Sequence, residues 1–224
     1  MQEQYVIIVA GGIGSRMKSN RPKQFIEIGG IPVIIKTIHC FLEYNPKIRI
    51  IISVHENYKI YLEELLEKSG LNKSQIQITF GGDTRFASVK NGLDLIQNEN
   101  AIVGIHDAAR PFVSLQTIKN CYATAASLGN AIPCISVNES MRKESKGINN
   151  FVNRNEYKII QTPQCFLSSQ IKKAFEQNYN SSFTDDATVL ESIGEKINLV
   201  EGNEENIKIT SPYDLIIANA LLTK

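Results

Sequence analysis

Short runs rich in valine and isoleucine recur along the chain at 5–10, 48–54, 76–80, 101–106, 130–137 and 196–200, and each has the length and β-branched content of a buried strand. Between them, apolar residues return at helical spacing over 33–44, 58–68, 86–97, 115–128 and 212–222. Strand and helix alternating in this way predict an α/β fold: a Rossmann-like, mainly parallel sheet with helices on both faces. In such sheets ligands sit beyond the carboxyl ends of the strands, where the chain reverses its direction of winding. The loops that follow strands are therefore the places to look for chemistry.

One interval breaks the alternation. Residues 138–158 are polar and carry no helical stripe, with Ser145-Lys146-Gly147 as turn chemistry between two short pieces. They read either as a β-hairpin arm projecting from the body or as a disordered surface loop. A length of 224 residues suits one domain over 1–224 carrying that arm.

Composition narrows the classes of function. With 24 Lys and Arg against 23 Asp and Glu, a net charge of +1 gives no field for wrapping a nucleic acid or lying on an anionic membrane. The longest apolar runs, at 6–10 and 31–35, fall far short of the roughly 20 residues of a membrane span. The N-terminal residues enter a strand too early for a cleavable leader, so a cytoplasmic location is expected. Four cysteines, at 40, 121, 134 and 165, lack both close pairing and companion histidines, and are expected as free buried thiols.

The first strand runs into Ala10-Gly11-Gly12-Ile13-Gly14-Ser15-Arg16-Met17, a glycine-rich turn suited to closing backbone N–H groups around phosphate. It is not a Walker loop, because no Gly-Lys-Ser/Thr ending follows. The dinucleotide pattern G-x-G-x-x-G fails as well, its third glycine position being Met17. Arg16, Lys18, Arg21 and Lys23 lie within eight positions, and Pro22 stiffens the approach to Lys23 and Gln24. Lys18 and Arg21 read as a solvated basic turn; Arg16 and Lys23 suit a triphosphate.

Five later segments repeat the theme. Gly81-Gly82-Asp83-Thr84-Arg85-Phe86-Ala87-Ser88 offers close backbone approach and a hydroxyl for a base edge, although a helix cap alone explains Asp83 and Thr84. His106-Asp107-Ala108-Ala109-Arg110-Pro111 ends a strand with an acid and a base around small residues, His106 itself reading as structural. Gln161-Thr162-Pro163-Gln164, Thr184-Asp185-Asp186 and Asn206-Ile207-Lys208 follow the arm. Thr184 and Asp185 also suit a helix cap, and Asn206 and Lys208 an ordinary edge strand.

In this order, Ala-Gly-Gly-x-Gly-x-Arg-Met, Pro-Lys-Gln, Gly-Gly-x-x-Arg-x-x-Ser-Val, His-Asp-Ala-Ala-Arg-Pro, Arg154 before Gln-Thr-Pro-Gln, Thr-Asp-Asp-Ala and the 201–210 segment resemble the 2-C-methyl-D-erythritol 4-phosphate cytidylyltransferases of the non-mevalonate isoprenoid pathway. The resemblance covers roughly residues 5–220. It implies that CTP and methylerythritol phosphate give 4-diphosphocytidyl-2-C-methyl-D-erythritol and pyrophosphate, with Mg2+ on the triphosphate. It also implies that catalysis is positioning and charge stabilisation at the α-phosphorus.

Position by position, the resemblance makes Arg16, Lys23 and Lys208 catalytic. Arg16 and Lys23 match the pair that stabilises the pentacoordinate transition state; Arg154 and Lys208 match the pair that positions the methylerythritol phosphate. Ala10, Gly11, Gly12, Gly14, Gly82, Asp83 and Ser88 match nucleotide-binding positions. Asp107, Arg110, Ser140, Thr162 and Thr184 match positions facing polyol or phosphate, and Asp107 is the carboxylate expected near the metal. The arm begins Glu139-Ser140-Met141-Arg142 where many members have Asp-Thr-x-Lys, which changes the reach of Ser140. In the family this arm embraces a second subunit, so a homodimer is implied. A ribitol 5-phosphate cytidylyltransferase, with similar Ala-Gly-Gly-Ile-Gly-Ser-Arg-Met and Gln-Thr-Pro-Gln segments, is the neighbouring alternative. A catalytically silent nucleotide-binding module is the alternative of another class.

Overall fold

The computed structural model describes residues 2–12 and 22–223. The elements in chain order are β1 (Gln4–Ala10), β2 (Glu27–Ile28), β3 (Ile31–Pro32), α1 (Val33–Tyr44), β4 (Arg49–Val54), α2 (Lys59–Lys68), β5 (Ile76–Phe80) and α3 (Arg85–Leu93). There follow β6 (Ile102–Asp107), α4 (Leu115–Leu128), β7 (Asn130–Ser136), β8 (Arg142–Ser145), β9 (Ile148–Phe151), β10 (Lys158–Ile160) and β11 (Gln164–Leu167). The last are α5 (Ser168–Ala174), α6 (Asp186–Glu191), β12 (Leu199–Glu201) and α7 (Pro212–Leu221).

The central sheet runs β10-β7-β11-β6-β1-β4-β5, with β12 pairing β7. β1, β4, β5 and β6 pair in parallel, whereas β11 lies antiparallel between β6 and β7. The alternation of Val6 and Ile8 with Tyr5 and Ile7 divides the core. Val6 and Ile8 face α1, α2 and α4; Tyr5 and Ile7 face α3, α5 and α6. Helices on both faces bury most of β1, β4 and β6, which is why these strands read as apolar runs, whereas β5 at the sheet edge stays partly exposed.

The chain first winds outward from β1 through β4 to β5, then returns beneath α3 to place β6 on the other side of β1. The switch of direction thus falls between β1 and β6. Val9 stands opposite Asp107 there, and the loops after both strands open on one side of the sheet.

Several boundaries differ from those the sequence predicts. α3 stops at Leu93 rather than 97, because Leu95 and Ile96 bond back to Gly92 and Leu93 as a turn while Ile96 keeps its place in the core. The strand predicted at 196–200 begins only at Leu199: Asn130 captures the backbone of Lys196 and Asn198 with its side chain, so ladder pairing starts afterwards. No strand forms around Asn206 and Lys208, where the backbone instead turns through Asn206 N–H to Asn203 O. Of the four cysteines, all are free, but only Cys121 and Cys165 are buried; Cys40 and Cys134 are half-buried.

The 138–158 interval is a hairpin. β8 and β9 pair antiparallel with Ser145 opposite Ile148, leaving Lys146 and Gly147 as a two-residue turn at φ 51° and 78°. Positive φ at both central residues is the primed geometry whose twist matches that of paired strands. Among the described residues, no helix is long and apolar enough to cross a membrane.

Candidate active site

A cavity of about 240 Å3 opens at the switch point, walled by Ala10, Gly11, Gly12, Lys23, Gly82, Asp83, Arg85, Ser88, Asp107 and Lys208 among others. The glycine-rich backbone on one side is packed too closely for side chains at Gly81 and Gly82. A Cβ on Gly81 would lie 3.2 Å from the Gly11 Cα, and one on Gly82 would lie 2.4 Å from the Ala87 Cβ. Gln24 fastens the loop after β1, its Nε2 donating to the carbonyls of Ala10 (2.7 Å) and Gly12 (3.1 Å).

The opposite wall starts α3. Thr84 caps it, accepting from Ala87 N–H at 3.0 Å. Ser88 Oγ donates to Thr84 O (2.9 Å) and accepts from Gly82 N–H (3.1 Å), so this hydroxyl also fixes the glycine turn.

Asp107 ends β6 and organises the floor. Its Oδ1 accepts from Arg85 Nη1 at 2.9 Å; its Oδ2 meets Lys208 Nζ at 2.9 Å and Arg110 Nε at 3.2 Å. Burial raises the cost of this charge, yet Arg85, Lys208 and Arg110 together hold the carboxyl well below the usual carboxylate range. The Lys208 side chain is 39% exposed and that of Asp107 9%, so the carboxylate anchors an ammonium that a ligand can still reach. Arg110 is steadied further by donating from Nη1 to Asn206 O at 2.7 Å, and Asn206 Nδ2 donates to Thr162 O at 2.8 Å.

Behind the floor lies a relay. Asp107 N–H donates to Thr162 Oγ1 (3.1 Å), Thr162 Oγ1 pairs with His106 Nδ1 (3.0 Å), and His106 Nε2 pairs with Arg110 O (3.1 Å). The set is consistent when Thr162 donates to Nδ1 and Nε2–H donates to the carbonyl. Burial drives the His106 pKa down to about 4, which keeps this ring neutral and structural as its sequence context suggests.

The structure therefore gathers Ala10, Gly11, Gly12, Lys23, Gly82, Asp83, Ser88, Asp107 and Lys208 around one cavity, with Arg110 tied to Asp107 at its edge. Gly14 and Arg16 lie outside the described residues. Thr162, expected to face the polyol, does not line the cavity; its hydroxyl is engaged by Asp107 N–H and His106 Nδ1 and supports the Asp107 loop. Thr184 does not line the cavity; it borders a separate groove with Ile132, Ile160 and Leu199. Ser140 and Arg154 do not line it either. They are exposed on the arm and at its base, where Arg154 donates to Asn138 O.

Three participants escape sequence reasoning: Arg85, Asp186 and Gln24. Arg85 and Asp186 appear in the recognised segments, yet nothing local marks them as a pair: Arg85 Nη2 meets Asp186 Oδ2 at 2.5 Å across 101 residues. Gln24 carries no sequence signal beyond its place after Lys23, yet it fastens the loop after β1.

No group of three or more metal-binding side chains converges among the described residues. Asp107, the carboxylate expected near a metal, has both oxygens taken by three cations, and a divalent ion beside it would meet that positive ring. As arranged, with both its oxygens paired to cations, Asp107 does not fit a protein-held ion.

A Rossmann-like sheet with a tight glycine backbone and convergent Lys and Arg side chains at its switch point has the form of a nucleotidyltransferase, and comparison with known proteins gives the same class. Residues 4–224 match the family described as IspD: 2-C-methyl-D-erythritol 4-phosphate cytidylyltransferase. The chain belongs to that family. It is 46% identical over 216 residues to the enzyme of that name from Bacteroides fragilis, covering 96% of this chain and 98% of the relative. It is 36% identical to the one from Bacillus mycoides, covering 97% and 96%. Among solved structures, the 4-diphosphocytidyl-2C-methyl-D-erythritol synthase of Anaerococcus prevotii superposes with a TM-score of 0.85 at 27% identity, covering 100% of this chain and 97% of that one. The 2-C-methyl-D-erythritol 4-phosphate cytidylyltransferase of Francisella tularensis gives 0.80 at 32% identity, covering 98% and 99%.

Proposed function

We propose that the switch-point cavity is where this cytidylyltransferase joins its substrates: CTP and 2-C-methyl-D-erythritol 4-phosphate give 4-diphosphocytidyl-2-C-methyl-D-erythritol and pyrophosphate. The observation that carries this assignment of residues is the convergence of Lys23, the glycine walls and the Asp107-anchored Lys208 on one cavity. An oxygen of the methylerythritol phosphate attacks the α-phosphorus of CTP. The bond from that phosphorus to the bridging oxygen breaks, and pyrophosphate leaves with the electron pair. A phosphate dianion is already nucleophilic near neutral pH, so the neutral, buried His106 is not needed as a base.

In this reading Gly11, Gly12, Gly82, Asp83 and Ser88 hold cytidine, and Lys23 with Arg16 receives charge on the triphosphate. Lys208 and Arg110 hold the acceptor phosphate from the Asp107 side. CTP enters as its magnesium complex, the ion riding on phosphate oxygens, as suits a cation that prefers them to a protein cage. Ser140 and Arg154 act from the arm of a second copy in a homodimer. The exposed Ile148 and Phe151 of the arm support that pairing, since a partner would cover them. Free cysteines fit a reducing cytoplasm.

The assignment of Lys208 is tested by initial rates with Lys208→Ala over both substrates. The expected result is a KM for methylerythritol phosphate raised at least about tenfold with that for CTP within about twofold. Unchanged values, or an equal rise in both, would remove Lys208 from acceptor binding.

A further inference from the structure

Arg85 lines the same cavity, opens α3 and carries no role in the reading above. Its guanidinium is forked between two carboxylates. Nη1 meets Asp107 Oδ1 at 2.9 Å and Nη2 meets Asp186 Oδ2 at 2.5 Å. Asp186 is the first residue of α6 and is buried, so Arg85 ties the starts of two helices to the end of β6.

The geometry of Asp107 explains why such a tie matters. Lys208 and Arg110 both pull on Oδ2. With that side alone held, the carboxylate is free to turn about its Cβ–Cγ bond and take the Lys208 ammonium with it. Arg85 holds the other oxygen, and Asp186 keeps Arg85 from following. A planar fork with fixed N–H directions does this where a lysine, a single point of charge, would not. The charges are suited to it as well: two carboxylates sit among three cations, and burial makes each unpaired charge expensive, so the arrangement resists partial opening.

We propose that Arg85 and Asp186 are a positioning pair for the transfer reaction: they clamp Asp107 so that Lys208 and Arg110 meet the acceptor phosphate at a fixed place. Arg85 acts through Asp107 and Asp186 acts through Arg85. The inference rests on the reading that Lys208 and Arg110 hold that phosphate.

The experiment measures both KM values and kcat for Arg85→Lys, Asp186→Asn, the double variant and Lys208→Ala, with thermal melts to follow folding. Asp186→Asn keeps the shape of the side chain and lies outside the cavity lining, so it carries the test even if Arg85→Lys folds poorly. The expected result is a KM for methylerythritol phosphate at least about tenfold higher in each single variant, with that for CTP within about twofold. The double variant should be no worse than the more affected single one, because the two residues act as a unit. Wild-type values in Asp186→Asn and Arg85→Lys beside a raised KM in Lys208→Ala would overturn the clamp and leave the Lys208 assignment standing. A parallel rise in both KM values with a fallen melting temperature would make the pair structural only and likewise overturn it. An unchanged KM in Lys208→Ala would remove the premise, and the inference with it.

Discussion

Lys23 opens a short helical turn, Lys23–Phe25, directly after Pro22, and it lines the cavity on the side of the glycine loop. A charge placed at the triphosphate acts on the transition state more than on the bound substrates, so Lys23→Ala should lower kcat by about 100-fold or more while the melting temperature holds. Steady-state rates with a thermal melt check this, and near-normal turnover would contradict it. His106 gives a pH signature instead. Its folded pKa is about 4, against roughly 6.5 in an unfolded chain. Between those values the unfolded state binds a proton that the folded state refuses, so stability is complete above about 6.5 and falls as pH drops towards 4. The loss reaches about 3 kcal/mol at roughly 1.4 kcal/mol per pH unit. Asp107, held low, adds acid sensitivity only below about pH 4. Urea melts from pH 7 to 4 should show this slope, flattened in His106→Asn; identical slopes in the two proteins would contradict it. At this scale the sequence exposed individual residue types and their order, and Lys23, Asp107 and Lys208 were found that way. It did not expose Arg85 with Asp186, because an ion pair spanning 101 positions leaves no local pattern.

Among the elements, those easiest to read were the ones buried on both faces. β1, β4 and β6 are rich in Val and Ile because helices cover them on either side. β11 escaped notice because Gln164-Cys165-Phe166-Leu167 has neither alternation nor β-branched residues; its place between β6 and β7 is set by tertiary pairing. The segment bearing Asn206 and Lys208 imitates a strand in its alternation, but side-chain bonds from Asn203, Asn206 and Arg110 hold it instead. The arm reads equally as hairpin or loop because its polar composition suits either; Ser145-Lys146-Gly147 marks the turn, but Lys146 is an uncommon residue at positive φ. That turn makes a prediction. Gly147→Val places a β-branched side chain at φ 78°, at a cost of about 1–2 kcal/mol, and should loosen the hairpin without touching the core. Under the proposed pairing of two copies through the arm, sedimentation velocity should then show a shift towards monomer at fixed protein concentration, with the melting temperature of the body retained. An unaltered association would separate the hairpin from dimerisation.

For the molecule as a whole, a balance of 24 basic and 23 acidic residues describes the average surface and not the site. The fold brings Lys23, Arg85, Arg110 and Lys208 from four separate segments to one switch point, with Asp83, Asp107 and Asp186 as the counter-charges. The result is a positive pocket in a nearly neutral protein, suited to two small phosphorylated substrates rather than to a polyanion. The central claim is that this pocket transfers cytidylyl to methylerythritol phosphate. It is tested most directly by pyrophosphate release from purified protein given CTP and magnesium, with 2-C-methyl-D-erythritol 4-phosphate in one reaction and ribitol 5-phosphate in another. The account predicts rapid release with the methylerythritol substrate and little with ribitol phosphate; release with ribitol phosphate alone, or with neither, would contradict it.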